Sequence, residues 1–299
     1  MQLAYQQWGT EGIPILGLHG HPGQGECLEV FADSLAGTGQ FHLVAPDLRG
    51  YGRSQVRDPY TLSAHLDDLE ALIHSRGWQH FGILGWSLGG ILALELALKL
   101  ASNPRARQPY PATVIGLTLI ASSACPQGSH PPVPWWMDVT TALASLLNLL
   151  LPGHPAVIAL GQNSLYRYLI ARHTPKTYRY LARYAVSAYL RTSSQAHQAL
   201  RESLRHPYNR LRDLSGLGIP TLVLAGCQDV HITPESSQRT AAALPQATWK
   251  QYEGVAHLFP WEIPEQVNQD LVAWWQGLAA TLEKTSAYPP QDSQKIRRN

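Results

Sequence analysis

Cysteine is scarce in this 299-residue chain: Cys27, Cys125 and Cys227 are all there is. Three thiols so far apart make neither a disulfide framework nor a zinc cluster, and they fit a reducing, cytoplasmic setting. Charge is also sparse, at 15% of residues with a net +2. That excludes a bulk polyelectrolyte role, so no nucleic-acid partner is expected. Long hydrophobic runs are missing. The longest, near Ala142–Leu151, is interrupted by Asn148 and ended by Pro152, too short for a transmembrane segment. The first residues, Met1 to Trp8, lack the basic region and apolar core of a signal peptide and read instead as an alternating strand. There is no His-Glu-x-x-His spacing, and Gly20–Gly25 lacks the Lys-Ser/Thr ending of a phosphate loop. Neither a metal nor another cofactor is expected.

What is present is a large apolar fraction, 44%, enough for a sizeable core. Short apolar runs alternate with helical ones, the pattern of an α/β fold with a mostly parallel sheet and helices on both faces. Strands are expected at Ile13–Leu18, Phe41–Ala45, His80–Leu84 and Ala112–Ile120, with a helix over Ser63–Arg76. The rhythm then breaks. Residues 126–211 carry Pro-rich turns and helical runs but no convincing strand. After Pro220 it resumes: a strand at Thr221–Ala225, a helix at Glu235–Leu244, a strand at Thr248–Tyr252 and a final helix at Pro264–Leu282. This divides the chain into a core (1–125 and 212–282), a helical insertion (126–211) and a polar tail (283–299) expected to be disordered. Open α/β sheets bind ligands at the strand carboxyl ends, so the insertion is a candidate lid over that edge.

The most informative segment is Gly85-Trp86-Ser87-Leu88-Gly89-Gly90. It lies between a buried strand and a run of helix formers beginning at Ile91. A strand-to-helix turn this sharp needs small neighbours and presents its central hydroxyl beside a helix N-terminus, which favours developing negative charge. Ser87 is therefore the candidate nucleophile.

A serine hydroxyl needs a base, and the base needs a third group to orient it. Thirteen histidines compete. His257 stands out because it follows the last expected strand in Tyr252-Glu253-Gly254-Val255-Ala256-His257, at the same sheet edge as Ser87. Asp229 leaves the preceding strand in Gly226-Cys227-Gln228-Asp229 and supplies the acid. Charge on the carbonyl oxygen calls for an oxyanion hole, worth roughly 3–4 kcal/mol per donor. The Leu88 backbone N–H is one expected donor. The His21 N–H, after the strand ending at Leu18, is the other. The His21 side chain is expected to face solvent or the pocket.

Further pocket candidates are His19, Gly20, Trp86, Trp135 and Trp136. The insertion's leucines, Leu143 to Leu151, are expected mainly to pack it against the core, with some lining an apolar pocket. Its second half is basic. Arg167, Arg172, Lys176, Arg179, Arg183, Arg191, Arg201, Arg205, Arg210 and Arg212 stand against one acid, Glu202. Lys176, Arg179 and Arg183 share a helix face by spacing. This face is either solvated surface or a dock for an acidic partner such as a carrier protein.

Taken together, His19-Gly20 after a strand, Asp47-Leu48-Arg49-Gly50-Tyr51-Gly52-Arg53-Ser54, the turn around Ser87, Gly226–Asp229 and Gly254–His257 resemble the α/β-hydrolase superfamily over nearly the whole chain. The resemblance implies that fold, with a helical lid inserted after the sixth strand. It also implies hydrolysis of an ester or thioester by a Ser-His-Asp triad. Gly85–Gly90 with Leu119–Cys125 locally resembles the pimeloyl-carrier-protein methyl ester esterases, which have Trp beside the nucleophile. Two rival functions use the same fold. One is a menaquinone-pathway lyase that eliminates pyruvate with the triad as base, although that group typically has Arg where this chain has Ile91. The other is a ligand receptor without catalysis. The expected partner is a small-molecule ester or acyl substrate.

Overall fold

The structure, a computed structural model, describes residues 1–57, 59–102, 112–203 and 208–284, without the side chain at position 201. Arg205 and the tail from residue 285 lie outside the described residues. Its elements in chain order begin β1 (Tyr5–Trp8), β2 (Ile13–Leu18), α1 (Glu29–Ala36), β3 (Phe41–Pro46), α2 (Leu62–Ser75), β4 (His80–Trp86), α3 (Leu88–Ser102) and β5 (Thr113–Ile120). Then come α4 (Trp136–Leu150), α5 (Pro155–Gln162), α6 (Tyr166–Leu169), α7 (Pro175–Tyr180), α8 (Val186–Arg191) and α9 (Ser194–Ser203). The chain returns through β6 (Thr221–Gly226), α10 (Pro234–Ala243), β7 (Ala247–Tyr252), α11 (Phe259–Glu262) and α12 (Pro264–Lys284).

The seven strands form one sheet in the order β1-β3-β2-β4-β5-β6-β7. Only β1 is antiparallel to its neighbour. Strands β2, β3 and β6 are buried along their whole length, and β4 and β5 all but their first residue. Their unbroken apolar runs are what a parallel sheet covered on both faces requires. The edge strand β7 keeps exposed residues. One apolar cluster gathers Phe31 and Leu35 of α1 with Val267, Leu271 and Trp275 of α12. The other gathers α2, α3 and α10 on the opposite face, through Leu69, Leu92 and Ala241. Close packing of α12 needs bare backbone under it: a Cβ on Gly82 of β4 would come within 2.3 Å of the Trp275 ring.

The segment between Ile120 and Thr221 is helical, with no strand among its described residues. It follows the fifth strand of this sheet, not the sixth, because a single edge strand, β1, precedes β2. Its buried Tyr166, Ile170, Tyr178, Leu181 and Tyr184 join the α1/α12 cluster. Most of its leucines do not, contrary to the expectation. Helix α4 turns Met137, Ala144 and Asn148 inward, which puts Val139, Leu143, Leu146 and Leu150 on the opposite side, with Leu150 70% exposed.

Two local differences from the sequence reading concern helices. Helix α1 was not anticipated, being two turns long with no N-cap side-chain bond to announce it. Helix α12 runs two residues past Leu282, so Glu283 and Lys284 belong to it rather than to the tail.

Candidate active site

After the edge strand β1, the chain runs through β2 near the middle of the sheet, then adds β3 to one side of it and β4 to the other. The carboxyl ends of β2 and β4 therefore flank the point where strand order reverses, which is where open α/β sheets leave a crevice. Residues 19–21 follow β2 and Ser87 follows β4. Asp229 and His257 follow β6 and β7 at the same edge.

Ser87 has φ +55, a left-handed conformation that costs a non-glycine residue of the order of 1–3 kcal/mol. Packing and hydrogen bonds hold it there. Its N–H donates to Ile120 O at 2.8 Å, and its carbonyl accepts from Ser122 Oγ and from the Gly90 N–H, each at 2.9 Å. The glycines around it are obligatory by space. A Cβ on Gly89 would lie 2.0 Å from Leu18 O, and one on Gly90 2.3 Å from Ser122 Oγ.

His257 lies between Ser87 and Asp229. Its Nδ1 is 2.7 Å from Asp229 Oδ2, and its Nε2 is 3.0 Å from Ser87 Oγ. A carboxylate can only accept, so Nδ1 carries the proton and Nε2 offers its lone pair to the serine O–H. The other Asp229 oxygen accepts the backbone N–H groups of His231 and Ile232, at 2.8 and 3.0 Å. Asp229 is thereby locked in one rotamer. Leu88 opens α3, whose first N–H groups lack intrahelical acceptors. Gly20 lies against the serine: a Cβ placed on it would be 3.1 Å from Ser87 Cβ.

The other pocket candidates separate. His19 is fully buried and lines no opening. Its Nδ1–H donates to Gly20 O at 2.8 Å and its Nε2 accepts the Leu48 N–H at 3.0 Å, so it pins the turn to the core. Burial pushes its pKa down to about 4, keeping the ring neutral. The His21 ring is half-buried. It is bonded to Tyr51 OH at 2.9 Å and to His197 of α9 at 3.1 Å.

Trp86 is buried and packs edge-on against Trp261 and Phe31. Tyr180 and Tyr184 of the insertion stack on Trp261, so this aromatic wall beside Ser87 is built from both core and insertion. Trp135 and Trp136 are not enclosed: they are 78% and 43% exposed, on the outward side that the α4 inward face dictates.

Sequence reasoning did not single out His231, His130 or Glu262. The His231 ring centroid is 5.0 Å from that of His257, and its Nδ1 is 2.7 Å from His130 Nε2 in the insertion's entry segment. Burial, and then the neighbouring His257 and His130, push the His231 pKa far down. Only its position two residues after Asp229 could have flagged it. The basic stripe is largely engaged inside the chain. Lys176 pairs with Glu265 of α12, Arg183 pairs with Glu29 of α1 at 2.7 Å, and Arg172 donates to the carbonyls of Glu253 and Gly254.

Comparison with known proteins agrees with this architecture. The sequence profile of the Alpha/beta hydrolase family matches residues 15–270. Lipase 3 of Moraxella sp. (strain TA144) is 26% identical over 282 residues, covering 89% of this chain and 78% of that protein. A pimeloyl-[acyl-carrier protein] methyl ester esterase of Cronobacter sakazakii is 34% identical over 121 residues, 40% of each chain. Among solved structures, a thermophilic esterase from Thermogutta terrifontis superposes with TM-score 0.67 at 26% identity, covering 92% of this chain and 93% of that one. No described helix is long and apolar enough to cross a membrane.

Proposed function

Because this chain belongs to the alpha/beta hydrolase family and is a hydrolase of the esterase and lipase type, we propose that it cleaves carboxylic esters through an acyl-enzyme on Ser87. The observation that carries the reading is the continuous hydrogen-bonded line Ser87–His257–Asp229, at 3.0 and 2.7 Å, at the carboxyl edge of the sheet.

In this reading Ser87 Oγ attacks the ester carbonyl as His257 Nε2 takes its proton. Asp229 holds the imidazole in the required tautomer and stabilises the imidazolium. The N–H groups of Leu88 and His21 receive the oxyanion. His257 then returns the proton to the departing alcohol. Water, deprotonated by the same nitrogen, releases the acid. The wall of Trp86, Trp261, Tyr180 and Tyr184 supports an apolar acyl group. The helical insertion serves as the lid that completes this wall. A cytoplasmic setting is part of the reading, and the three cysteines are free thiols.

A small-molecule ester is the substrate class we favour. An acidic carrier protein as acyl bearer draws less support, because Lys176 and Arg183 already meet acids of the chain's own core.

The test is turnover of nitrophenyl esters of graded acyl length, with rapid-quench mass spectrometry of the protein. Ser87→Ala should lose on the order of a millionfold in turnover rate, the scale of serine-protease nucleophile losses. The wild type should carry the acyl mass on Ser87. Efficient pyruvate elimination without any acyl adduct would replace this reading with the lyase one. Ligand binding with no turnover of any ester would replace it with the receptor.

A further inference from the structure

Resting on that reading, we propose that His197, in insertion helix α9, is a positioning residue for the oxyanion hole: its ring holds the ring of His21, and so fixes the His21 backbone N–H while the insertion is seated on the core.

The turn after β2 is gripped in two directions. His19 ties it inward, through Gly20 O and the Leu48 N–H. The next side chain able to grip it, His21, points the other way. Its Nδ1 meets Tyr51 OH at 2.9 Å and its Nε2 meets His197 Nδ1 at 3.1 Å, with the two imidazole centroids 4.8 Å apart and nearly perpendicular. Tyr51 is buried, and burial keeps its hydroxyl protonated. One proton arrangement satisfies all three rings: Tyr51 O–H donates to His21 Nδ1, and His21 Nε2–H donates to His197 Nδ1.

The place of His197 is itself fixed. The Ser193 N–H donates to Gly50 O at 2.9 Å, Ser193 Oγ lies 3.1 Å from Tyr60 OH, and Gln55 donates to Arg191 O at 2.8 Å. Ala196, one residue before His197, is buried in the same apolar cluster as Leu48 and Tyr51. The start of α9 is thus docked on Gly50, Gln55 and Tyr60, and His197 reaches from it to the turn that lies over Ser87. A backbone donor aimed at an oxyanion loses its effect when displaced by a fraction of an ångström, so an anchor on the side chain of the same residue controls the rate. Seating of the insertion and completion of the oxyanion hole become a single event.

The experiment compares His197→Leu, which fills the space without an acceptor, with His197→Gln, which keeps a carbonyl acceptor. Tyr51→Phe removes the other partner of the His21 ring. The readouts are kcat, KM and the affinity of a trifluoromethyl ketone, whose Ser87 adduct carries an oxyanion. For His197→Leu, kcat should fall about tenfold, a fraction of the effect of deleting a donor outright. KM should stay within about twofold, and ketone affinity should fall in step with kcat. His197→Gln should recover most of both, and Tyr51→Phe should show the same signature. The proposal is overturned if His197→Leu raises KM at unchanged kcat, if ketone affinity does not move, or if the Leu and Gln variants behave alike. Should the Leu variant fail to fold by circular dichroism, the Gln and Phe variants decide: wild-type kcat and ketone affinity in Tyr51→Phe overturn the proposal. A wild type that the ketone does not inhibit would instead remove the acyl-enzyme reading beneath it.

Discussion

Glu262 accepts the backbone N–H of Ala256, the residue before His257, at 2.9 Å, while its second oxygen accepts the N–H groups of Ala171 and Arg172 in the insertion. One buried carboxylate therefore joins the loop bearing the candidate base to residues 171 and 172 of the helical segment. Burial raises its pKa above the usual carboxylate value, and the three N–H donors offset part of that rise. Glu262→Ala leaves the buried Ala256 N–H without its acceptor, and should cost about 1–3 kcal/mol in unfolding free energy. Activity should fall further than stability predicts, since His257 loses its anchor. Urea titration alongside kcat measurement checks this, and unchanged activity in a destabilised variant would reduce Glu262 to packing.

Asp229→Asn should fold and still fail. Asp229 accepts three N–H groups, from His257, His231 and Ile232. An amide has a single acceptor oxygen, so its NH2 must face at least one of those donors. The loss in kcat should be about 10⁴-fold, as for the corresponding change in a serine protease, with KM little altered. Steady-state kinetics at pH 7 to 9 decides, and a loss below tenfold would mean the acid is elsewhere.

Gly89→Ala probes the turn rather than the chemistry. The added methyl would sit 2.0 Å from Leu18 O and 2.8 Å from His19 O, both backbone atoms that cannot swing away. Either α3 shifts or the turn after β2 does. Fluorophosphonate labelling of Ser87 should slow at least tenfold, with a lowered melting midpoint. Wild-type labelling and melting would show that the backbone there is softer than its packing implies.

The engaged cations make a further prediction. Arg183→Glu would place a carboxylate beside Glu29, which already accepts from Tyr184 OH at 2.7 Å. Turnover of a small uncharged ester should fall, and Glu29→Arg in the same chain should restore it, because the pair seats the insertion. The exposed Lys176–Glu265 pair should contribute under about 1 kcal/mol. If Arg183→Glu impaired only carrier-protein-linked esters, docking of a carrier would be the better account.

Acid should destabilise the fold through its buried histidines. Burial lowers the pKa of His19 and His65 from 6.5 to about 4, and of His231 further still. Between pH 6.5 and 4 the unfolded chain therefore binds protons that the folded chain refuses. Stability is complete above about pH 6.5 and is lost as pH falls toward 4, by up to about 1.4 kcal/mol per pH unit for each group. Urea midpoints at pH 7, 6, 5 and 4.5 measure this. His65→Leu should flatten the slope, since His65 Nδ1 is buried without a partner. A flat wild-type profile would show that these rings are hydrated in solution.

The amino-acid sequence by itself determined what local physics can write into a contiguous segment. Unbroken apolar runs marked the buried parallel strands. Gly85, Gly89 and Gly90 marked a turn too tight for side chains, and the order Ser87, Asp229, His257 followed from which loops leave which strands. Only the tertiary structure decided how distant segments meet. Nothing near His197 or His21 announces that their rings touch, because that contact is set by where α9 lands on the loop after β3. Trp135 and the leucines of α4 looked like enclosed surface because hydrophobicity records an affinity for burial, not which side of a helix the fold covers. Lys176 and Arg183 looked free for a partner because their acids, Glu265 and Glu29, lie 89 and 154 residues away in sequence. Periodicity and turn chemistry act within a few residues, whereas the pairing of charges and rings across the chain depends on packing geometry that no short window contains.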